Sequence, residues 1–393
     1  MTAAPIYLDH HATTPVDPRV LEQMLPYFTQ HFGNASSRQH AFGWQANEAV
    51  EQARQQVAQL IGARSKEIVF TSGATEANNL AIRGAVAARR ADGGHVVTVA
   101  TEHKAVLDVC ASLEDQGCTV TRVAVDTDGL VDVDRFVAAL RSDTVLASVM
   151  TANNEIGVLQ PVAALARACR ARGIWFHADA VQSAGHVPVD VAALDVDLAS
   201  LSAHKMYGPK GVGALYVRRT TRVALEPQVA GGGQERGLRA GTLNVPGIVG
   251  FGAAAALART GLAGEAARVA ALRDRLLAQL QRGLGDMTVN GSLTERLPHN
   301  LHVSFAGVDG EALMTCLADE VAVSSGSACA SGSREPSHVM TALGRGAADR
   351  WGAVRFGLGR STTAEDIDRA AARVVEHVAR LRAMSPVPTG VGA

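Results

Sequence analysis

Lysine is scarce in this sequence, and its scarcity draws attention to the few that remain. Four of the 37 basic side chains are lysines, at positions 66, 104, 205 and 210, and the other 33 are arginines. Arginine keeps its proton in proteins, whereas a buried lysine can lose its proton and act as a nucleophile. Lys205 and Lys210 both follow a predicted strand in "DLASLSAHKMYGPKG", so either is a candidate for forming a Schiff base.

The sequence also lacks a strong charge of either sign. Its net charge is −1 and it has no long basic run, so we expect neither direct nucleic-acid binding nor attachment to an anionic membrane. The longest weakly polar run, residues 245–258, is too short to cross a bilayer. The N-terminus has no charged segment followed by an apolar one, so we predict no signal peptide and a cytoplasmic protein.

The five cysteines form neither a CxxC motif nor a metal-ligand spacing. We therefore predict free thiols in a reducing compartment and no intrinsic metal site. Four of them stand in helix-like or strand-like contexts that predict small buried apolar side chains: Cys110, Cys118, Cys169 and Cys316. Cys329 differs, because its segment "SSGSACASGS" (324–333) contains only serine, glycine and alanine around it. A thiol without apolar neighbours is a candidate for a reactive one.

Short runs rich in β-branched residues alternate with amphipathic helical patterns between residues 66 and 217. Apolar runs of this kind predict strands of a parallel sheet that is covered by helices on both faces. We therefore predict an α/β fold with a mainly parallel seven-stranded sheet flanked by helices, and a smaller α/β C-terminal domain. The seven runs are "EIVFTSG", "HVVTVATEH", "TVTRVAVD", "TVLASVMTANNE", "GIWFHADAVQS", "DLASLSAHK" and "GVGALYVRR".

Length and composition predict two domains, because 393 residues that are 47% hydrophobic can bury a large core. The predicted large domain spans residues 15–260. Residues 261–385 form the predicted small domain, with the N-terminal residues 1–14 packed on it, and this domain carries the segment of Cys329. The tail, residues 386–393, is predicted to be disordered.

Several polar residues are predicted beyond the carboxyl ends of the strands, where ligands of such sheets bind. Thr71–Thr75 lead into a helix, a pattern that fits either a phosphate-binding helix N-terminus or an ordinary helix cap. Asp179 ends a buried strand and needs a partner, either a ligand or a structural ion pair. His103 and Asn153–Glu155 follow two further strands, and each fits a ligand contact or loop hydrogen bonding.

Together these residues place an amine, a carboxylate, a possible phosphate-binding helix N-terminus, an imidazole and side-chain amides along one edge of the sheet. Pyridoxal phosphate needs this set of groups: a lysine for the Schiff base, a carboxylate for the ring nitrogen, and a helix N-terminus for the phosphate. The residues thus predict a pyridoxal-phosphate site.

The sequence resembles a cysteine desulfurase of the IscS/NifS type, within the class V aminotransferases of fold type I. The resemblance extends from "YLDHHATTPVDPRV" to "RFGLGRSTTAEDID" and so covers nearly the whole chain. The blocks that carry it follow one another in order: "FGNASSRQHAFGWQANEAV", "IVFTSGATEANNLAI", "TEHKAVLD", "NNEIGVLQ", "SAHKMYGPKGVGALYVRR", "GGGQERGLRAGT" and "AVSSGSACASGSREPSHVM".

The resemblance implies a role for each of several residues. The catalytic residues that it implies are Lys205, which holds the cofactor as a Schiff base and moves protons, His103, which stacks on the ring, and Cys329. The cofactor contacts that it implies come from Ala74, Thr75, His103, Asn154, Asp179, Gln182, Ser202, His204, Lys205 and Thr242. Asn154 and Arg355 are the implied substrate contacts, with Arg355 binding the substrate carboxylate. Thr242 would act on the cofactor of the other subunit, which implies an obligate homodimer.

The resemblance also implies the reaction. Sulfur is taken from L-cysteine onto Cys329 as a persulfide, L-alanine leaves, and the sulfur passes to an acceptor or scaffold protein. The implied destinations are iron–sulfur cluster assembly, tRNA or cofactor thiolation, and DNA phosphorothioation. The segment around Cys329 fits the long-loop version of the family, whose cysteine can also serve as a transient iron–sulfur ligand.

The sequence departs from the family pattern at two places. Ala330 follows the cysteine where threonine is frequent, and His10-His11 follow the first aspartate where asparagine is frequent. We predict that the histidine pair are packing or loop residues rather than metal ligands. Two other functions are considered: a selenocysteine lyase or related class V aminotransferase, and a non-catalytic sulfur carrier or scaffold. Cys329 weighs against the selenocysteine lyase or aminotransferase. The presence of Lys205, Asp179 and Arg355 weighs against the non-catalytic carrier or scaffold.

Overall fold

The computed structural model of the protein describes residues 5–89, 91, 94–221, 223–325, 337–346 and 351–384. Cys329 and Ala330 lie outside the described residues, as does the predicted tail 386–393.

The described residues form twelve strands and eleven α-helices, with short 3-10 turns between them. The strands are β1 (Ile6–Tyr7), β2 (Ile68–Thr71), β3 (His95–Val99), β4 (Thr119–Val123), β5 (Thr144–Met150), β6 (Trp175–Asp179), β7 (Leu198–Ser202), β8 (Gly213–Val217), β9 (Met287–Val289), β10 (Asn300–Phe305), β11 (Val321–Ala322) and β12 (Ala353–Gly357). The helices are α1 (Pro18–Met24), α2 (Pro26–Thr29), α3 (Ala41–Leu60), α4 (Ala74–Ala88), α5 (Lys104–Glu114), α6 (Val133–Ala139), α7 (Val162–Arg170), α8 (Val245–Gly283), α9 (Gly310–Leu317), α10 (His338–Ala342) and α11 (Ala364–Met384).

The seven predicted runs form one seven-stranded sheet with the order β2-β8-β7-β6-β5-β3-β4. Strands β3 to β7 pair in parallel, and β8 runs antiparallel to both of its neighbours, β2 and β7. All residues of β3, β5, β7 and β8 are buried, because helices cover both faces of the sheet. The predicted α/β class with a mainly parallel seven-stranded sheet is therefore confirmed.

Alternate residues of most strands of the large sheet belong to different apolar cores, one on each face of the sheet. Val97 packs with α3, α7 and the first half of α8, whereas its neighbour Val96 packs with α4 and α5. The same alternation separates Leu201 from Leu198 on β7. This period of two is what a strand between two helical layers requires.

A second part of the molecule is built around the antiparallel sheet β12-β10-β9, which packs against α9, α11 and the end of α8. Strand β1 pairs in parallel with β11, Ile6 opposite Val321, so the N-terminal strand lies on this part. Helix α8 runs through both parts: Phe251 belongs to a core of the large sheet and Leu276 to the core of the small one. The division into domains at residue 260 stays a prediction.

Helix α8 is long and apolar enough to cross a bilayer by length and composition, although the sequence predicted only a short weakly polar run there. Within its most apolar window, 56% of the residues are buried inside the protein. Its Gly252 packs so closely on α3 that an added Cβ would lie 2.6 Å from the Cα of Ala53. We therefore interpret α8 as a core helix that needs small residues.

The four described cysteines are all free thiols. Cys110 and Cys169 are buried as predicted, and burial raises the pKa of each thiol to about 12, which makes both unreactive. Cys118 and Cys316 are only partly buried, contrary to prediction; Cys118 directly precedes β4, which is the edge strand of the large sheet.

Candidate active site

A cavity of about 580 Å³ lies at the carboxyl ends of β2, β3, β5, β6 and β7. This volume suits a small cofactor together with a substrate. Ten of the predicted site residues line it: Ala74, Thr75, His103, Asn154, Asp179, Gln182, Ser202, His204, Lys205 and Arg355. Thr242 does not line this cavity and is exposed on the surface.

The N-terminus of α4 faces the cavity with its backbone N–H groups uncapped. Gly73, the N-cap residue, has no side chain to accept from them, and Ala74 and Thr75 follow it at the cavity wall. A Cβ on Gly213 of β8 would lie 2.7 Å from the carbonyl carbon of Gly73, so glycine is required there for this close approach. The first N–H groups of a helix have no partner within it, and an anion is stabilised at such a terminus. The arrangement fits a phosphate better than an ordinary side-chain cap.

Asp179 is the last residue of β6, and its carboxylate is held by neutral donors. Asn78 of α4 donates to Oδ2 at 2.8 Å, and the backbone N–H of Val181 donates to Oδ1 at 3.1 Å. Neutral donors leave the negative charge of the carboxylate uncompensated, so it can attract a protonated ring nitrogen. This geometry favours a ligand partner over the structural ion pair.

Lys205 follows β7 in a 3-10 turn, Ala203–Lys205, and its half-buried amine lies in the cavity. Nζ donates to the carbonyl oxygens of Ala12, at 2.8 Å, and of His11. Lys210 also reaches the cavity wall but is exposed. Because a nucleophilic amine needs partial burial, the geometry favours Lys205 over Lys210 as the Schiff-base lysine.

The two predicted imidazoles are held neutral. His103 is the N-cap of α5, and its Nδ1 accepts from the backbone N–H of Ala105 at 3.0 Å, so the neutral ring carries its proton on Nε2. Burial lowers the pKa of His103, and the charge of Lys205 lowers it further, against the opposing effect of Asp179. Burial and the charge of Lys205 lower the pKa of His204 to about 4.

Arg355 lies on β12 at the junction of the two parts of the molecule, and it is only 2% exposed. Its Nη2 donates to Asp9 Oδ1 at 2.7 Å and to Ser324 Oγ at 2.8 Å. Its Nη1 donates to the backbone carbonyl of Asn154 at 2.6 Å. The guanidinium is thus fixed at the cavity wall, where a planar fork can bind a carboxylate.

Comparison with known proteins gives a consistent result. Residues 6–370 match the family described as Aminotransferase class-V. A relative named Cysteine desulfurase IscS, from Anaeromyxobacter sp. (strain Fw109-5), is 61% identical over 383 residues, which cover 98% of this chain and 95% of the relative. The chain belongs to the cysteine desulfurases of the class V aminotransferases.

Solved structures agree with this family. A structure titled "NIFS-LIKE PROTEIN" matches with a TM-score of 0.90 and 37% identity, over 96% of this chain and 100% of that one. Another, titled "SspA in complex with cysteine", matches with a TM-score of 0.80 and 36% identity, over 90% and 98% of the two chains. The predicted cysteine desulfurase fold is confirmed.

Enzymes of this family use pyridoxal phosphate, and the cavity residues of this cysteine desulfurase fit that cofactor. The uncapped terminus of α4 suits its phosphate, the Asp179 carboxylate its ring nitrogen, and the Lys205 amine its aldehyde carbon. The roles of the individual residues stay predictions, and Cys329 lies outside the described part of the chain.

Several residues of the site were not predicted from the sequence. Ala12 and Thr13 line the cavity, although they lie more than 190 positions from their partners Lys205 and His204. Asn78 was missed because it lies one turn inside α4. His11 lies in a turn and stacks on His299, which fits its interpretation as a packing or loop residue, and it also lines the cavity and contacts Gln182. The unusual pair His10-His11 was a visible signal for it. Among the described residues, no group of three histidine, cysteine or acidic side chains is arranged to hold a metal ion.

Proposed function

We propose that this enzyme removes sulfur from L-cysteine, releases L-alanine, and carries the sulfur as a persulfide on Cys329. The observation that supports the proposal is the convergence of Lys205, Asp179 and Arg355 on one cavity. Asp179 ends β6, Lys205 follows β7 and Arg355 lies on β12. Each supplies a group that amino-acid chemistry on pyridoxal phosphate requires.

When bound, pyridoxal phosphate supplies a ring that withdraws electrons from the substrate Cα. Asp179 would keep the ring nitrogen protonated, because the donors to its carboxylate within the described part of the chain are neutral amides. Arg355 binds the substrate carboxylate and so orients the amino acid toward Lys205, whose Nζ moves a proton at Cα. His103 holds a proton on Nε2 at the cavity wall, where it could donate to the bound cofactor or substrate.

The sulfur step transfers sulfur from carbon to a thiol. It balances without an external oxidant, because the electron pair of the broken carbon–sulfur bond stays on the substrate carbon, which takes up a proton and becomes the methyl group of L-alanine. The Cys329 thiolate attacks the sulfur of the substrate, the carbon–sulfur bond breaks, and a sulfur–sulfur bond forms on Cys329. L-cysteine and one thiol thus give L-alanine and one persulfide. The thiolate, not the thiol, is the nucleophile in such a step.

The test uses the purified protein reconstituted with pyridoxal phosphate. Visible absorbance that borohydride abolishes reports the Schiff base, and alanine and sulfide are then measured after addition of L-cysteine and a reductant. We expect Cys329→Ser to keep the absorbance and to lose sulfide release, and Cys316→Ser, a partly buried thiol away from the cavity, to keep both. If Cys329→Ser desulfurates at the full rate, the assigned nucleophile is wrong. Selenocysteine turnover that is retained in Cys329→Ser while cysteine turnover is lost would favour the lyase alternative.

We also propose a homodimer in which Thr242 of one subunit contacts the cofactor phosphate of the other. Exposed aromatic side chains between residues 28 and 44, two of which, Phe32 and Phe42, contact each other, support a second copy at this surface, since a lone subunit would leave them in water. Phe28, Phe32, Phe42 and Trp44 are 51–65% exposed. A second cavity of about 810 Å³ joins Trp44 to residues 232–236 of the glycine-rich segment that leads to Thr242. Light scattering should give a molar mass of two subunits for wild type. For a Trp44→Glu variant the measured mass should shift toward that of one subunit.

We propose further that the persulfide sulfur passes to an acceptor protein in the cytoplasm. The free state of the four described cysteines supports a reducing compartment. Incubation of the persulfidated enzyme with cell extract, followed by thiol-trapping mass spectrometry, identifies the acceptor. Transfer only to low-molecular-weight thiols would contradict a dedicated protein acceptor.

A further inference from the structure

We propose that His11 is a positioning residue that holds the Gln182 side-chain amide with an N–H directed to the cofactor ring. This inference rests on the proposed pyridoxal-phosphate function. Gln182 and His11 both line the cavity and are nearly fully buried.

Two reciprocal hydrogen bonds tie the residues together. The ring Nδ1 of His11 lies 3.0 Å from Gln182 Oε1, and Gln182 Nε2 donates to the backbone carbonyl of His11 at 3.1 Å. Because Oε1 can only accept, His11 must carry its proton on Nδ1. The amide nitrogen of Gln182 has two N–H groups, and only one of them is used by the His11 carbonyl. The second remains available to an oxygen in the cavity.

The direction of these bonds follows from an arginine that cannot accept. Arg296 Nη1 donates to Asn300 Oδ1 at 2.9 Å, which fixes which end of the Asn300 amide is oxygen. Asn300 Nδ2 then lies 3.2 Å from His11 Nε2 and donates to it, so Nε2 is the acceptor and Nδ1 carries the proton. The order Arg296, Asn300, His11, Gln182 is therefore a directed chain of donors that ends in the cavity. Each member is buried, so no solvent competes with the chain.

Packing holds the His11 ring in place. It stacks on His299 with ring centroids 4.3 Å apart, and His299 stacks on His186 at 4.0 Å. His186 Nε2 in turn lies 2.8 Å from the backbone carbonyl of Lys205. Burial and the charge of Arg355 hold the pKa of His11 well below its usual value, which keeps the ring neutral and preserves its acceptor at Nε2. The same residue thus contacts Gln182 through its ring and Lys205 through its carbonyl.

The consequence concerns the ring oxygen of the cofactor. A hydrogen-bond donor beside a ring oxygen of the bound cofactor would favour the negatively charged form of that oxygen, and so would favour loss of the proton from the Schiff base. Without His11 the Gln182 amide can rotate and offer its oxygen instead, which favours the protonated form. The pH at which the visible absorption of the reconstituted enzyme titrates should then rise.

The experiment measures that titration midpoint in wild type, His11→Asn and His10→Asn. We expect His11→Asn to raise the midpoint by about one pH unit. His10 is the matched control, because it is a buried neighbour whose Nδ1 lies 3.0 Å from the carbonyl oxygen of Gly357 and which, within the described residues, makes no hydrogen bond to Gln182. His10→Asn should therefore keep the wild-type midpoint. An unchanged midpoint in His11→Asn, or an equal shift in both variants, overturns the proposal.

A double-mutant cycle separates positioning from general damage. We expect Gln182→Ala to raise the midpoint as His11→Asn does, and His11→Asn to add nothing further in the Gln182→Ala background. Additive shifts overturn the proposal. If His11→Asn does not fold, His11→Gln replaces it, and an unchanged midpoint in Gln182→Ala alone also refutes the idea. A protein that takes up pyridoxal phosphate but shows no shift contradicts only this inference, whereas one that never binds the cofactor contradicts the proposed function.

Discussion

Replacing Arg355 with lysine tests the proposed substrate contact while keeping the positive charge. Among the described residues, the guanidinium donates to Asp9, to Ser324 and to the carbonyl of Asn154. A lysine amine is a single point of charge on a flexible stem. The lysine amine can pair either with Asp9 or with a substrate carboxylate in the cavity. It lacks the planar guanidinium that can bond to both at the same time.

The magnitude follows from the number of bonds lost. The fork offers a substrate carboxylate a charge-assisted hydrogen bond whose loss costs about 1.5–3 kcal/mol. Since each 1.4 kcal/mol is tenfold in affinity, Arg355→Lys should raise KM for L-cysteine about 10- to 150-fold. The value of kcat should change much less, because the group binds the substrate in its ground state and transition state alike.

Steady-state sulfide release over a range of L-cysteine concentrations measures both constants. Arg268→Lys is the matched control, since Arg268 also bonds backbone carbonyls, those of Thr362 and Arg360, but lies away from the cavity. Its KM should equal that of wild type. A KM within a factor of about two of wild type in Arg355→Lys, when a full bond is worth tenfold or more, would refute the assignment of Arg355.

Three further predictions concern charge. Asp179→Asn should lower kcat by about 10²–10³-fold and leave the fold intact, because the cofactor ring nitrogen loses its carboxylate partner. Sulfide release measures kcat and circular dichroism checks the fold. An unchanged kcat would contradict the prediction. Glu235 forms a buried ion pair with Arg54, with two hydrogen bonds of 2.7 and 2.8 Å. Glu235→Gln should therefore lower the free energy of unfolding, measured by urea denaturation, by about 3–5 kcal/mol. A loss below about 1 kcal/mol, the value of an exposed pair, would contradict this prediction. Burial lowers the pKa of His177 to about 4. Below about pH 6.5 the unfolded state therefore binds more protons than the folded state, and the free energy of unfolding falls as the pH drops from about 6.5 to 4. The free energy of unfolding of His177→Gln should fall less over this pH range, and a pH dependence identical to that of wild type would contradict the prediction.

The strands were predictable because each one carries its own evidence. A strand buried on both faces needs a mainly apolar run, and β3, β5, β7 and β8 each show one, with only a few small polar residues or a histidine among the apolar ones. The direction of β8 was not predictable, because an apolar run has the same pattern in either direction. It runs antiparallel because only the 3-10 turn and a short loop, residues 203–212, separate it from β7, and a parallel return needs a longer crossover.

The residues of the site were predictable where they end a strand, as Asp179 and Ser202 do, or begin a helix, as Ala74 does. The groups that hold them were not. Asp9 reaches Arg355 across 346 positions and Asn300 reaches His11 across 289, and no local pattern encodes contacts over such distances.

The most direct test of the account is to find which lysine carries the cofactor. The reconstituted enzyme is reduced with borohydride, digested, and its peptides are sequenced by mass spectrometry. The structure, with the Lys205 amine in the cavity and Lys210 exposed at its wall, predicts a pyridoxyl group on Lys205. A pyridoxyl group on Lys210, or none on either lysine, would contradict the account.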